Sequence, residues 1–252
     1  MKFNICVAVP ITTGDLERNK EVMKRVLDEN PEFVEFRFDY IEDIQQITPV
    51  FVEYLLNLVK SRIQTIFTFR DFSEGGQIEL AKSERLKIIQ LLIEAHPQYY
   101  DIEMKNDRET LQSVINMARE NNVKLIYSFH DFEKTPSYDE GVNIIEKFKE
   151  ELVNNYAVDF ISIKKIIFKL IFTAQRFEDN IIPMKICKDL LEKNKDKNVI
   201  SFCMGDLGIF SRIMCVIAGS FLTYASLEER TATGQINIRK MREILQTVSN
   251  NY

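Results

Sequence analysis

Eight times along the chain, a short apolar run rich in β-branched and aromatic residues is followed by a longer stretch with helical period. The runs fall at residues 4–9 (NICVAV), 33–38 (FVEFRF), 64–69 (QTIFTF), 99–104 (YYDIEM) and 124–129 (KLIYSF). The sixth lies within the long apolar segment 160–172, and the last two at 198–203 (NVISFC) and 220–224. The stretches between them predict helices near 17–27, 50–59, 84–95, 108–120, 139–153, 177–191, 209–217 and 238–248. In the fourth of these, Leu111, Val114, Ile115 and Ala118 recur at spacings of three and four. Regular strand–helix alternation implies a parallel sheet covered by helices. Eight such units in 252 residues match a single (β/α)8 barrel, one α/β domain spanning 1–252. A doubly wound sheet would advertise a glycine-rich turn after its first strand, and here that turn reads VPITTGD. With eight glycines and six prolines in all, no stretch reads as a linker.

Composition narrows the function classes. With 33 basic and 38 acidic side chains the net charge is −5, which argues against a nucleic-acid footprint. Cys6, Cys187, Cys203 and Cys215 sit in apolar runs without CxxC spacing and read as buried, reduced thiols of a cytoplasmic protein. No apolar run approaches the ~18 residues of a membrane span. The opening MKFNIC passes directly into a strand pattern, so no signal peptide is expected.

In a barrel the chemistry lies at the C-terminal ends of the strands. Reading those ends in order gives Glu35, Arg37 and Asp39, then Arg70, then Glu103, then His130 with Asp131. Lysines occupy the sixth segment, Met204 ends the seventh strand, and Arg212 opens the following helix. Any one of these charges alone would pass as a solvated or ion-paired strand end. His130 stands out, because the other histidine, His96, sits in an ordinary helix-to-strand loop, and a barrel mouth is where an imidazole is useful as an acid and base. No HxH, HExxH or DxD pattern appears at the strand ends, so no catalytic metal is expected.

Together these segments resemble the type I 3-dehydroquinate dehydratases, Schiff-base enzymes of the shikimate pathway. The matching pieces are VEFRFDYIED (34–43), FTFRDFSEGG (67–76), YDIEM (100–104), YSFHDFEKTP (127–136), MGDLGIFSR (204–212) and TATGQI (231–236). They stand in the family's order and cover most of the chain. The resemblance implies a (β/α)8 lyase that converts 3-dehydroquinate to 3-dehydroshikimate by syn elimination through a lysine imine, without metal or cofactor. It implies His130 as the general acid and base, Lys169 as the imine lysine and Glu74 as a partner of the histidine. Glu35, Arg37 and Arg70 would hold the substrate hydroxyls, Arg212 the substrate carboxylate, and Thr231 and Gln235 would close over it. Met204 would pack against the ring. Relatives are often homodimers, which is the partner expected here.

The match has three departures. Ala8 stands where the family has a first-strand serine, and Thr231 replaces a lid serine while keeping its hydroxyl. The third concerns the lysine: the stretch from His130 to Lys169 is about a dozen residues longer than in the family. Aligning on Asp159 puts Ser162 at the lysine position, with Lys164 and Lys165 nearby, whereas the spacing from Lys169 to Arg212 selects Lys169. In a regular strand Lys165, Ile167, Lys169 and Ile171 share one face and Lys164 takes the other. Helix five is therefore expected to be longer, or this segment altered.

The residue types suit the chemistry. A neutral amine condenses with a ketone to give an iminium ion, an electron sink for deprotonating the neighbouring carbon, and an apolar strand favours the neutral amine. A base titrating near the working pH can both take that proton and return it to the leaving hydroxyl. A guanidinium fork matches a planar carboxylate. Two other readings remain open at this level: a class I aldolase-like barrel, which would need a phosphate cradle, and a non-catalytic barrel that has kept a ligand pocket.

Overall fold

The first parallel ladder joins β1 (Ile5–Pro10) to β2 (Phe33–Arg37), with Cys6 opposite Phe33 and Pro10 opposite Arg37. β3 (Gln64–Thr68) continues on β2 with Thr68 opposite Arg37, and β4 (Tyr99–Glu103) pairs with β3. Then follow β5 (Lys124–His130), β6 (Ile167–Thr173), β7 (Val199–Met204) and β8 (Thr223–Ser226). The sheet order is β7-β6-β5-β4-β3-β2-β1-β8, and each described ladder is parallel. The computed structural model describes residues 3–163, 166–195, 197–227 and 231–249. Eight parallel strands alternating with helices make the fold a (β/α)8 barrel, as the strand–helix alternation predicts.

The helices are α1 (Leu16–Glu29), α2 (Pro49–Val59), α3 (Lys82–Glu94), α4 (Arg108–Glu120), α5 (Tyr138–Tyr156), α6 (Phe160–Ile163), α7 (Ile181–Asn194), α8 (Ile209–Met214) and α9 (Ile238–Ser249). Their starts follow local chemistry. Asp15, Thr48 and Asp107 cap α1, α2 and α4 through side-chain oxygens, and Pro49 occupies the first turn of α2 where its missing N–H costs nothing. Ser137 and Glu140 form a reciprocal capping box at α5. Asn30 ends α1 and Ala157 ends α5 in the left-handed conformation.

The apolar segment 160–172 holds the sixth strand as expected, with a helical turn, α6, ahead of β6. Two sequence expectations shift. The 19-residue α5 runs three residues past its predicted end at 153, and α6 adds a further helical turn before β6. The eighth strand starts three residues later than its apolar run, at Thr223. Gly219 takes φ +111° and the Ser220 hydroxyl donates to the Leu222 carbonyl at 2.8 Å; the Phe221 amide reaches the Val199 carbonyl of β7 and the Thr223 amide that of Asn4.

The chain forms two compact units. One comprises Met1–Ile5, Tyr127–Ala225 and Ala232–Tyr252; the other comprises Cys6–Ile126 and Ser226–Thr231. Within the second unit, Phe36, Phe38 and Phe67 pack edge-on at 5.1–5.3 Å between Phe67 and each partner, anchoring β2 and β3. Among the described residues, no helix is long and apolar enough to cross a membrane.

Candidate active site

Each unit carries its own group of charged side chains at C-terminal strand ends. In the first unit β6 supplies Lys169, which is 5% exposed. Strand alternation sets its direction. Phe168 lies under Lys149 of α5 at 5.5 Å, and Phe172 approaches Gly141 of α5, so the Phe168–Leu170–Phe172 face meets the helices. Lys169 and Ile171 therefore point to the opposite, inner face. There the Lys169 Nζ donates to the Tyr224 hydroxyl at 3.3 Å and lies 4.5 Å from the centre of that ring. Tyr224 is 6.1 Å from Phe202 of β7, and the Arg212 guanidinium stacks on Phe202 at 4.5 Å. A row of two aromatic rings thus runs from Lys169 to Arg212, offering π faces to both cations.

Arg212 on α8 is 1% exposed, and its Nη2 donates to the Thr233 carbonyl at 3.1 Å. Its Nε is buried with no hydrogen-bond partner, and among the described residues no carboxylate pairs with it. Burial pushes its pKa down to about 10. Ser211 fixes α8 by donating to the Gly208 carbonyl and accepting from the Cys203 amide, while Asn180 accepts from the Ser211 amide. Met204 ends β7 and shares a strand face with Phe202. Gln235 is buried, and a Cβ at neighbouring Gly234 (φ +75°) would strike the Gly205 carbonyl, so glycine lets 231–236 lie against the loop after β7. His130 ends β5, stacked on Phe132 at 6.1 Å. The Asp131 amide donates to the Ile171 carbonyl and the Thr173 hydroxyl to the Asp131 carbonyl, which ties the His130–Asp131 turn to the strand bearing Lys169.

The second unit pairs its charges internally. Arg37 makes a two-pronged bridge to Asp39, both bonds 2.8 Å, and lies over Tyr40. Burial opposes its charge, but Asp39 and Glu35 outweigh that and hold its pKa above the ordinary range. Glu35 is buried and accepts from Thr68 at 2.8 Å; it lies opposite Ala8 in the β1–β2 register. Arg70 binds Asp101 and Glu103, each at 2.8 Å, and although burial opposes its charge, these two with Glu74 and Glu35 keep it firmly protonated. Glu74 is buried in the turn after β3, and the Thr231 carbonyl accepts from the Tyr40 hydroxyl at 3.1 Å.

The expected site residues lie within β2 and β6 (Glu35, Lys169), at strand ends or in the loops beyond them, and in α8 (Arg212), except Lys164 and Lys165, which fall outside the described residues. Lys169, Arg212, Met204, Gln235 and His130 belong to the first unit; Glu35, Arg37, Arg70, Glu74 and Thr231 belong to the second. The sequence reading missed Tyr224 and Asp101. Tyr224 lies in a strand placed three residues early, and Asp101 follows an apolar tyrosine pair that hides it. Among the described residues no group of histidine, cysteine and carboxylate side chains is arranged to hold a metal ion.

The fold and its charged side chains define a (β/α)8 barrel protein with a buried strand lysine and a buried arginine that has no carboxylate partner among the described residues. Residues 7–252 match the family model "Type I 3-dehydroquinase". A 3-dehydroquinate dehydratase of Methanococcus maripaludis (strain C7) is 32% identical over 218 residues, 86% of this chain and 88% of that protein. One from Thermococcus onnurineus is 28% identical over 84% of this chain and 82% of its own. The crystal structure of the 3-dehydroquinate dehydratase from Aquifex aeolicus VF5 is 27% identical, covers 97% of this chain and 98% of its own, and superposes with a TM-score of 0.71. The type I enzyme from Clostridium difficile, solved with covalently modified comenic acid, shares the fold at a TM-score of 0.82 and 23% identity, over 100% and 94% of the two chains. The chain belongs to the type I 3-dehydroquinase family.

Proposed function

We propose that this protein dehydrates 3-dehydroquinate to 3-dehydroshikimate, a step of the shikimate pathway, through an imine on Lys169. The observation that carries the proposal is Lys169 itself, a buried lysine facing inward from β6, with a buried arginine in the same unit that no carboxylate balances among the described residues. The Lys169 amine attacks the ketone carbon; the carbonyl oxygen leaves as water and an iminium ion remains. His130 takes a proton from the adjacent carbon, and the electron pair neutralises the iminium as an enamine. The enamine then expels the tertiary hydroxyl, which His130 protonates to water, and hydrolysis of the imine releases the product. Arg212 holds the substrate carboxylate, and Gln235 and Thr231 close over it. Met204 packs on the ring. Glu35, Arg37 and Arg70 hold the hydroxyls, and Glu74 assists His130. No metal or organic cofactor enters this scheme.

We further read the protein as a cytoplasmic homodimer. Phe177, Ile181, Leu207 and Phe210 are exposed on the first unit, with the Phe177 and Phe210 rings 5.3 Å apart, and such a patch is a common subunit contact. Sedimentation of Phe210→Glu as a monomer, against a dimeric parent, is the expected result.

Borohydride treatment with 3-dehydroquinate tests the chemistry. Intact mass should rise by one reduced adduct, peptide mapping should place it on Lys169, and Lys169→Met should lose both adduct and turnover. Lys164→Met and Lys165→Met should keep the adduct. An adduct at Lys164 or Lys165 would move the imine, and ligand binding with no adduct at any lysine would overturn the mechanism.

A further inference from the structure

Arg85 belongs to α3, outside every motif that the family resemblance rests on, yet it is only 6% exposed. Its Nη2 donates to Glu103 Oε2 at 2.7 Å and to the Phe69 carbonyl at 2.9 Å, and its Nη1 donates to Asn106 at 2.9 Å and lies 3.5 Å from Asp71. Glu103 accepts four donors. Arg70 Nη1 at 2.8 Å and the Asp71 amide at 3.0 Å reach Oε1; Arg85 and the Asn106 amide, at 2.7 and 2.9 Å, reach Oε2. Four donors fill the lone-pair sites of a carboxylate, so Glu103 has no freedom to turn.

The contacts bracket one residue. Arg85 grips the carbonyl just before Arg70, Glu103 grips the amide just after it, and Asp39 accepts from the Arg70 amide at 3.3 Å. The Arg70 side chain is meanwhile forked between Glu103 and Asp101. Two guanidinium groups and two carboxylates balance formally, so the network stays ionised: burial works against the Glu103 charge, and Arg70 and Arg85 outweigh it and hold its pKa below the ordinary carboxylate value. Remove Arg85 and two carboxylates share one arginine in a buried site, while the Phe69 carbonyl loses a donor. Both changes free Arg70 to move.

We infer that Arg85 is a positioning residue for substrate binding, setting the Arg70 guanidinium through Glu103 and through the backbone on either side of Arg70. The inference rests on the proposed contact between Arg70 and the substrate. Binding that depends on a pre-set donor weakens when the donor must be ordered anew, and that loss appears in KM more than in kcat when ground state and transition state use it equally.

Steady-state kinetics on 3-dehydroquinate with Arg70→Ala, Arg85→Gln, Arg85→Lys and the double variant Arg70→Ala/Arg85→Gln provides the test. Arg85→Gln should raise KM about tenfold and change kcat less than about threefold. Arg85→Lys, which keeps a charge beside Glu103, should recover most of that loss. The double variant should have the KM of Arg70→Ala, because residues acting through one group are not additive. Where Arg85→Gln folds poorly, Asn106→Ala loosens the same carboxylate and should raise KM by about two- to threefold, again with no further effect on Arg70→Ala. A raised KM for Arg70→Ala with an unchanged KM for both Arg85→Gln and Asn106→Ala would overturn the inference and leave the function intact. Additive effects would do the same. An unchanged KM for Arg70→Ala would overturn the substrate contact and the inference with it.

Discussion

Arg70 and Arg212 are both buried arginines beyond strand ends, and the fold treats them in opposite ways. Arg70 meets two carboxylates at 2.8 Å and is held above its ordinary pKa range against the cost of burial. Arg212 meets an aromatic face, one backbone carbonyl and no carboxylate among the described residues, and burial pulls its pKa down to about 10. A buried guanidinium without a counter-charge costs free energy in the empty protein. In the proposed mechanism the substrate carboxylate supplies the charge that Arg212 lacks, while the carboxylate-paired Arg70 is held as a pre-set donor.

The sharpest departure expected lies in the first unit. His130→Ala should lower kcat by about 10²–10⁴ while ligand binding stays within about tenfold, because proton transfer is worth that much in rate. Stopped turnover assays with a parallel binding titration check it, and activity within twofold of the parent would remove the histidine from the mechanism.

Stability separates the two arginines directly. Arg70→Met leaves Asp101 and Glu103 buried around a missing charge and should cost about 3–5 kcal/mol. Arg212→Met removes a charge that nothing balances and should be neutral, or stabilising by up to about 2 kcal/mol. Urea unfolding of both variants without ligand reads the difference, and equal losses would erase the contrast.

Affinity reverses the ranking. Arg212→Ala should raise KM by about 10²-fold, since truncating a buried partner of a charge pair costs about 2–5 kcal/mol. Arg212→Lys should raise it far less, keeping a point charge but losing the fork. Equal effects from the two substitutions would argue against a carboxylate contact.

The smallest effect expected is one of pH. The Glu103 carboxyl titrates below its ordinary value of 4.5 in the folded chain. Its contribution to stability is therefore complete above about pH 4.5 and is lost as the pH falls through the lower folded value. The stability gap between the parent and Glu103→Gln should shrink by about 1 kcal/mol between pH 5 and pH 3. A gap that stays constant over this range would mean that Glu103 is not held ionised by Arg70 and Arg85.

Much of this was legible along the chain. Strand–helix alternation is local, because a period of two or of 3.6 is written into neighbouring residues, and it correctly announced eight units and a parallel barrel. The strand-end positions of Arg37, His130 and Met204, and of Arg70 just beyond its strand, followed from the same periods. The eighth strand was placed early because an apolar run does not show that the backbone is still turning at Gly219 (φ +111°) and closing the Ser220–Leu222 contact before the strand proper.

Pairing belongs to the tertiary structure. Arg37 finds Asp39 two positions along the chain, but Arg70 and Arg212 carry the same group, and nothing adjacent in sequence says which of them will meet a carboxylate. Asp101 reaches Arg70 from 31 positions away, and Glu103 reaches it from 33. Tyr224 reaches Lys169 from 55 positions away. The sequence by itself determined the number of strands, their direction and the ends at which charge collects. Which charges are balanced, and which one is left for a ligand, was decided only by folding. Burial multiplies the cost of an unpaired charge, and burial depends on distant segments arriving at one place.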